Sequence, residues 1–270
     1  MTADEPSKSV KKRKIPVSKR KYRPNLEELP AFSMSKEATP INVLELSKSI
    51  HLSIQADYYD EIYAIIPIIE SLSVKSCIIY RETAQLVDAA PAYIAKNLLK
   101  TFENFEYDHY THTFNELLCS KKRMIPIAIK DYSLFPTGGV TNNDTFWINP
   151  GRIEELHNRH SKTNIILENL FCLEVDRKKS AIQRCMEKSF IAHAIIKREH
   201  DFGNTRPHIS VLEFLNVSSS IETRLILKNL QFQHIPGYPN EFRTLYDNYQ
   251  KNIYQEAGRK HLHKLLNIEF

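Results

Sequence analysis

A chain of 270 residues, 42% of them apolar, is long enough to bury a core, and 37 basic against 32 acidic residues leave a formal charge of +5. No apolar run approaches the roughly 20 residues that span a bilayer, and none of the six glycines forms a G-x-G-x-x-G or P-loop pattern, which argues against membrane-spanning proteins and phosphate-cradling nucleotide enzymes. Cys77, Cys119, Cys172 and Cys185 are widely spaced with no C-x-x-C pair, the pattern of reduced thiols rather than of a disulfide framework.

The charge is unevenly placed. Residues 1–24 hold nine Lys and Arg against Asp4 and Glu5, so the rest of the chain, with 28 basic and 30 acidic groups, is net −2. A Pro-punctuated basic segment with almost no apolar side chains does not offset its own ordering entropy, so residues 1–24 are expected to form a disordered arm that orders on a polyanion. Lys11, Lys12, Arg13, Lys14, Lys19 and Arg20 are its candidate contacts to phosphates or to a narrow A·T minor groove; the bland alternative is a solvated tail. The arm is not followed by the apolar stretch of a secretory signal, and an intracellular chain is expected.

Residues 25–57 read as a connector, and a folded body is expected over 58–202. Strand-like runs occupy Glu61–Ile69, Cys77–Arg81 and Thr83–Val87, with Glu82 as a hinge. Pro91 suits the first turn of a helix over Ala92–Phe105, with Tyr93, Ile94, Leu98, Leu99 and Phe102 at helical spacing. Strands return at Met124–Ile129, Leu134–Phe135 and Thr145–Ile148, around a loop containing Gly138-Gly139 and Asn142-Asn143. Asn164–Leu167 and Phe171–Val175 flank Glu168-Asn169-Leu170 as a hairpin whose left-handed position suits the Asn. Ser180 is a candidate cap for a helix that buries Ile182, Cys185, Met186, Phe190 and Ile195. After a boundary at 203–207, residues 203–270 read as a helical C-terminal region. It has helices at Ile221–Gln231 and Glu241–Leu266, the second carrying Phe242, Leu245, Tyr246, Tyr249, Ile253 and Ala257 on one face. The expected class is α+β: a small antiparallel β-rich body with flanking helices, a disordered basic arm and a helical tail that packs on the body or forms an oligomer seam.

Across Arg123–Asn169 the order and spacing are specific. Pro126-Ile127 is followed by Leu134-Phe135-Pro136-Thr137, a short polar loop, Phe146-Trp147-Ile148-Asn149, Ile153-Glu154 and the hairpin. This segment resembles the competence transcription factor (ComK) family, in which a Pro-Pro-Ile strand precedes a Phe-Pro-Thr segment, a polar loop, a Trp-Ile pair and an Asn-Gly hairpin. Ile125 stands in place of the second Pro, and Glu168-Asn169-Leu170 in place of the Asn-Gly turn. The resemblance covers about Tyr58 to His200; the basic arm and the long helical C-terminus extend beyond typical members. It implies a non-enzymatic transcriptional activator that binds paired A·T-rich boxes largely through the minor groove, as dimers that join into tetramers. Cofactors and metals are not implied. The implied partners are A·T-rich double-stranded DNA, a second copy of the chain, RNA polymerase and an adaptor for a Clp protease, and the implied location is the cytoplasm, on the nucleoid.

Within the body, candidate phosphate contacts are Lys121-Lys122-Arg123, Arg177-Lys178-Lys179 and Lys197-Arg198, each at the edge of an expected element. Arg152 and Arg159, near Trp147, are candidates for a narrow groove; ion pairs with Glu154 or Glu155 are the bland reading. Trp147 itself fits a core position better than a base-stacking platform. Two His-x-x-His pairs, His109/His112 and His157/His160, could present two imidazoles on a helical turn, but no Cys or carboxylate completes a tetrahedral metal set. A nuclease using Glu174 and Asp176, and an interaction or oligomerisation regulator without DNA binding, are the competing function classes.

Overall fold

The computed structural model describes residues 27–28, 42–69, 73–119, 124–201 and 208–266. The candidate contacts of the basic arm, the Lys121-Lys122-Arg123 cluster and the boundary at 203–207 lie outside the described residues.

The architecture is α+β, as the hydrophobic patterning predicts. The larger sheet begins with two short edge pieces, β1 (Glu27–Glu28) and β2 (Leu52–Ser53), followed by β3 (Ala64–Ile69), β4 (Val74–Ile79) and β5 (Thr83–Val87). β3, β4 and β5 form an antiparallel meander, with Ile65 opposite Ile78 and Cys77 opposite Leu86. Both edge pieces pair with β5, β1 antiparallel and β2 parallel, so one pairing departs from the all-antiparallel expectation. β6 (Ile127–Ala128), β7 (Ser133–Pro136) and β8 (Trp147–Ile148) complete the sheet on its other side, in the order β1-β5-β4-β3-β8-β7-β6. Trp147 is fully buried and meets Tyr107 edge-on at 6.5 Å between ring centroids, so it is a core residue.

β9 (Ile153–Arg159), β10 (Lys162–Leu167) and β11 (Cys172–Val175) form a separate three-stranded antiparallel sheet. β9 escapes a periodicity reading because only Ile153 and Leu156 in it are buried. Its presence overturns the helical placement of His157/His160: His157 is on the strand, 2.7 Å from Glu155, and His160 has φ +58 in the turn. The β10–β11 hairpin forms where expected, with a different division of labour. Leu170, not Asn169, takes the left-handed conformation (φ +65), which costs a Leu about 1 kcal/mol. The Asn169 side chain accepts from Phe171 N at 3.2 Å and donates to the Tyr80 carbonyl at 2.9 Å, tying this hairpin to the larger sheet.

Three helices pack on this frame. α1 (Val43–Lys48) is capped by Asn42, and α2 (Pro91–Glu103) starts with Pro91 and buries Ile94, Ala95, Leu98 and Leu99. Tyr93 and Phe102, at helical spacing in sequence, are exposed instead. α3 (Tyr107–Leu117), absent from the sequence reading, has a weaker apolar pattern but a strong polar anchor. The Tyr110 hydroxyl donates to the Pro126 carbonyl at 3.1 Å and accepts from Ala128 N at 3.0 Å.

α4 (Lys179–His200) crosses β6 and β7 and buries Ile182, Met186, Phe190 and Ile195, while Cys185 is half-buried at the margin. Its cap position is Lys178; Ser180 lies inside the first turn and makes no capping bond. α5 (Val211–Leu215), α6 (Ile221–Leu227) and α7 (Glu241–Leu266) follow, α6 ending earlier than its sequence pattern because Lys228–Leu230 turn back toward Val211. Val211, Leu215, Leu227, Phe242 and Tyr246 join the same hydrophobic core as the sheet. The start of α7 packs against α3, Phe242 lying 4.6 Å from Phe114 between ring centroids. From Tyr254 to Arg259 every described α7 side chain is exposed. Among the described residues no helix is long and apolar enough to cross a membrane.

Candidate nucleic-acid interface

The basic residues of the body separate by what the fold places beside them. Arg152 ends a short 3-10 turn, Pro150–Arg152, capped by the Asn149 side chain. That turn aims its guanidinium at Glu61, to which both Nε and Nη2 donate, and at Glu168 at 2.8 Å, with the Tyr63 ring 5.4 Å away. Burial works against this charge, but the two carboxylates outweigh it and raise the guanidinium pKa. Arg152 therefore joins segments far apart in sequence, and its partners are neither Glu154 nor Glu155.

Lys179 is also turned inward. Its ammonium donates to the Leu156 carbonyl at 3.0 Å and pairs with Glu222, a carboxylate only 6% exposed, which also accepts from Gln183 at 3.0 Å. Lys197 donates to the Leu215 carbonyl at 3.2 Å beside the Phe214 ring, and buried Arg198 donates to the carbonyls of Ile235 and Pro236. These three cations hold the C-terminal helices to α4 rather than face solvent.

Arg177, Lys178, Arg184 and Lys188 behave differently. The Arg177 backbone is clamped: its N–H donates to Val175 O at 2.8 Å and its carbonyl accepts from the Thr163 hydroxyl at 2.6 Å. Its side chain is left at the surface, as are those of Lys178 and Arg184. Arg177, Arg184 and Lys188 line a groove of about 220 Å³ with Met124, Thr137, Ala181, Ile182 and Cys185. Among the described residues no carboxylate lines this groove, and none of the four cations has an ion-pair partner. Burial pushes the Cys185 thiol up even though Lys188, Arg177 and Arg184 pull it down.

A second groove, of about 380 Å³, adjoins the first along Thr137 and Arg177, and the two side by side make a trough with those residues between its halves. Its further walls are the loop after β7 (Gly138, Asn142, Asp144, Thr145) and the β10–β11 hairpin (Lys162, Glu174, Asp176). Glu174 is held by Lys162 at 2.5 Å and lies 3.8 Å from Arg159, and the hydrogen bond from Lys162 keeps its carboxyl below the ordinary range. Among the described residues no group of three metal-ligating side chains comes together. His109 and His112 do share one turn of α3, but they serve as aromatic surfaces for Tyr249, the His112 ring stacking on it at 3.8 Å.

Of the sequence candidates in the described body, the structure brings Arg177 to the trough and leaves Lys178 exposed without a place in its lining. Arg159 is exposed beside Glu174, and Arg152 and Lys179 are engaged in ion pairs. Arg184 and Lys188 were missed because they do not form a run. Their signal is a spacing of four on the polar face of a helix whose opposite face carries Ile182 and Met186. Comparison with protein-family models, with curated proteins and with solved structures finds no match to the chain.

Proposed function

We propose that the protein is a sequence-selective DNA-binding regulator of ComK type, reading paired A·T-rich boxes through the minor groove as a dimer or tetramer on the nucleoid. The observation that carries this reading is the carboxylate-free groove formed by Arg177, Arg184 and Lys188. In a chain that is net negative outside residues 1–24, three cations around one concavity, without an ion-pair partner among the described residues, make a local field that a phosphate backbone satisfies. Thr137 of the Phe-Pro-Thr segment forms one wall of the groove, and Lys121-Lys122-Arg123 immediately precede Met124 of another. The arm supplies further positive charge for phosphates beyond the groove. RNA polymerase and a Clp-protease adaptor are the protein partners this reading carries with it.

The test is a binding titration of the full chain on a duplex with two A·T-rich boxes and on a G·C-rich duplex, repeated over a range of salt. Each neutralised phosphate steepens the fall of log affinity with log salt by about 0.9, so three groove cations alone give a slope near −3 and the arm makes it steeper. The expected result is A·T-selective, cooperative binding whose salt slope flattens when residues 1–24 are deleted. Salt-independent affinity, or equal affinity for the two duplexes, overturns the proposal.

A second reading, an oligomerising interaction protein without DNA binding, is favoured by the exposed run of α7 from Tyr254 to Arg259. Ending the chain after Ile253 separates the two while keeping the buried Phe242 and Tyr246. Loss of self-association with DNA binding retained supports the first reading. Loss of self-association from a protein that never binds DNA supports the second.

A further inference from the structure

We propose that the cationic groove and an apolar cleft beside it form one docking seam along α4 for an acidic peptide that carries an apolar anchor side chain. The seam goes beyond the DNA-binding reading and stands without it. Only the consequence that peptide and duplex exclude each other rests on that reading.

The apolar half is a hollow of about 40 Å³ between α3 and α4. Phe114 and Leu118 from the end of α3, Met124 and Pro126 ahead of β6, and Ile191 and Ala192 of α4 line it, and among the described residues Lys188 is the only charged one in its lining. Met124 and Lys188 also line the cationic groove, so the two concavities adjoin along them. The reason lies in the sequence of α4, where Ala181, Arg184, Cys185, Lys188, Ile191 and Ala192 fall on one stripe at helical spacing. Along that stripe the character changes from cationic at Arg184 to apolar at Ile191, and Ala181 and Ala192 stand about 16 Å apart along the axis. Glu187 is exposed on the same helix but lines neither half.

A DNA strand carries a phosphate roughly every 3.4 Å, so it satisfies Arg177, Arg184 and Lys188 but brings no apolar surface to the cleft. Covering the cleft is favourable only against another apolar surface. The complement of the whole stripe is a ligand that turns from acidic to apolar within the same length, and a short peptide with Asp or Glu ahead of a leucine has that pattern. Its carboxylates pair with the guanidinium of Arg184 and the ammonium of Lys188. Its anchor enters the cleft, where the methylene stem of a half-buried Lys188 adds apolar cover. A hollow of this size admits the end of one side chain and not the hydrocarbon tail of an anionic lipid.

The test titrates the full chain into a fluorescein-labelled peptide in which a run of glutamates precedes a single leucine, and into the same peptide reversed, with fluorescence anisotropy as the readout. One of the two orders is expected to bind. Replacing its leucine by serine should weaken binding about tenfold, and Arg184→Ala should weaken it about fivefold and flatten its salt dependence. Excess A·T-box duplex should displace it. Ile191→Ser should reproduce the loss seen with the serine peptide and leave duplex affinity unchanged. Thermal unfolding checks that this variant folds, and the serine peptide gives the same reading with the protein unaltered. Absence of binding in both orders, or equal affinity for the leucine and serine peptides, overturns the seam and leaves the DNA-binding reading intact. A chain that holds duplex and peptide together overturns the shared use of Arg184 and Lys188. Leucine-dependent peptide binding by a chain that binds neither duplex keeps the seam and overturns the DNA-binding reading.

Discussion

α4 carries cations on two faces, and the contrast between them separates a structural charge from an available one. On one face Lys179 and Lys197, five turns apart, are committed, the first to buried Glu222 and the second to the Leu215 carbonyl. On the other, Arg184 and Lys188 border an open groove without a carboxylate. The residue types are the same, and all are within one helix. What differs is whether the fold brings an acceptor alongside, and those acceptors come from segments remote in sequence. A charge that already satisfies a buried partner cannot neutralise a phosphate without leaving that partner unpaired in low dielectric.

The largest expected effect comes from breaking the committed side. Lys179→Ala leaves the Glu222 carboxylate, 6% exposed, with only Gln183 beside it, and should destabilise the protein by about 3 kcal/mol in urea unfolding. DNA affinity of the folded fraction should be unaltered. A loss below about 1 kcal/mol would place Lys179 with the available cations instead.

A pH effect of similar size is expected from the same buried face. His193 is almost fully inaccessible, its Nε2 lies 3.1 Å from the Lys130 carbonyl, and burial, with Lys197 adding to it, lowers its pKa from 6.5 to about 4. The folded pKa lies below the unfolded one, so this histidine contributes stability that is complete above pH 6.5 and is lost as pH falls toward 4. The full window is worth about 3 kcal/mol. Neighbouring Glu199 acts in the opposite sense, since burial raises its carboxyl pKa and favours the folded state in acid. His193→Gln isolates the histidine: its acid unfolding between pH 6.5 and 4 should be shallower than that of the wild type, and an unchanged profile would remove His193 as the cause.

The sheet was legible wherever β-branched residues are continuous, at β3 to β5, and the helix behind Pro91 was legible from its punctuation. β9 was not, because a strand with a single-sided, sparsely apolar pattern gives little period-2 signal. α3 was missed because its hold on the body is the polar anchor of Tyr110 more than an apolar stripe. For the interface, Arg177 and Lys178 stood out as part of a run. The same run made Lys179 look equivalent, although a one-residue step at the start of a helix turns a side chain by about 100° and sends it inward. Arg152 could not be sorted from sequence, since Glu61 and Glu168 become its neighbours only after the two sheets meet.

Arg159 is the intermediate case, and it sharpens the contrast with the smallest expected effect. It is 60% exposed at the end of β9 and reaches Glu174 at only 3.8 Å, whereas Lys162 holds the same carboxylate at 2.5 Å. An exposed second cation on a carboxylate that is already paired adds little, because solvent screens it and the ordered geometry costs side-chain entropy. A double-mutant cycle with Arg159→Ala and Glu174→Gln should therefore give a coupling energy under about 0.5 kcal/mol. Arg159 would then belong with Arg184 and Lys188 as a charge the fold leaves free, beside the Glu174 that lines the second groove. A coupling above about 1 kcal/mol would move it to the committed class and shorten the cationic surface to the α4 side alone.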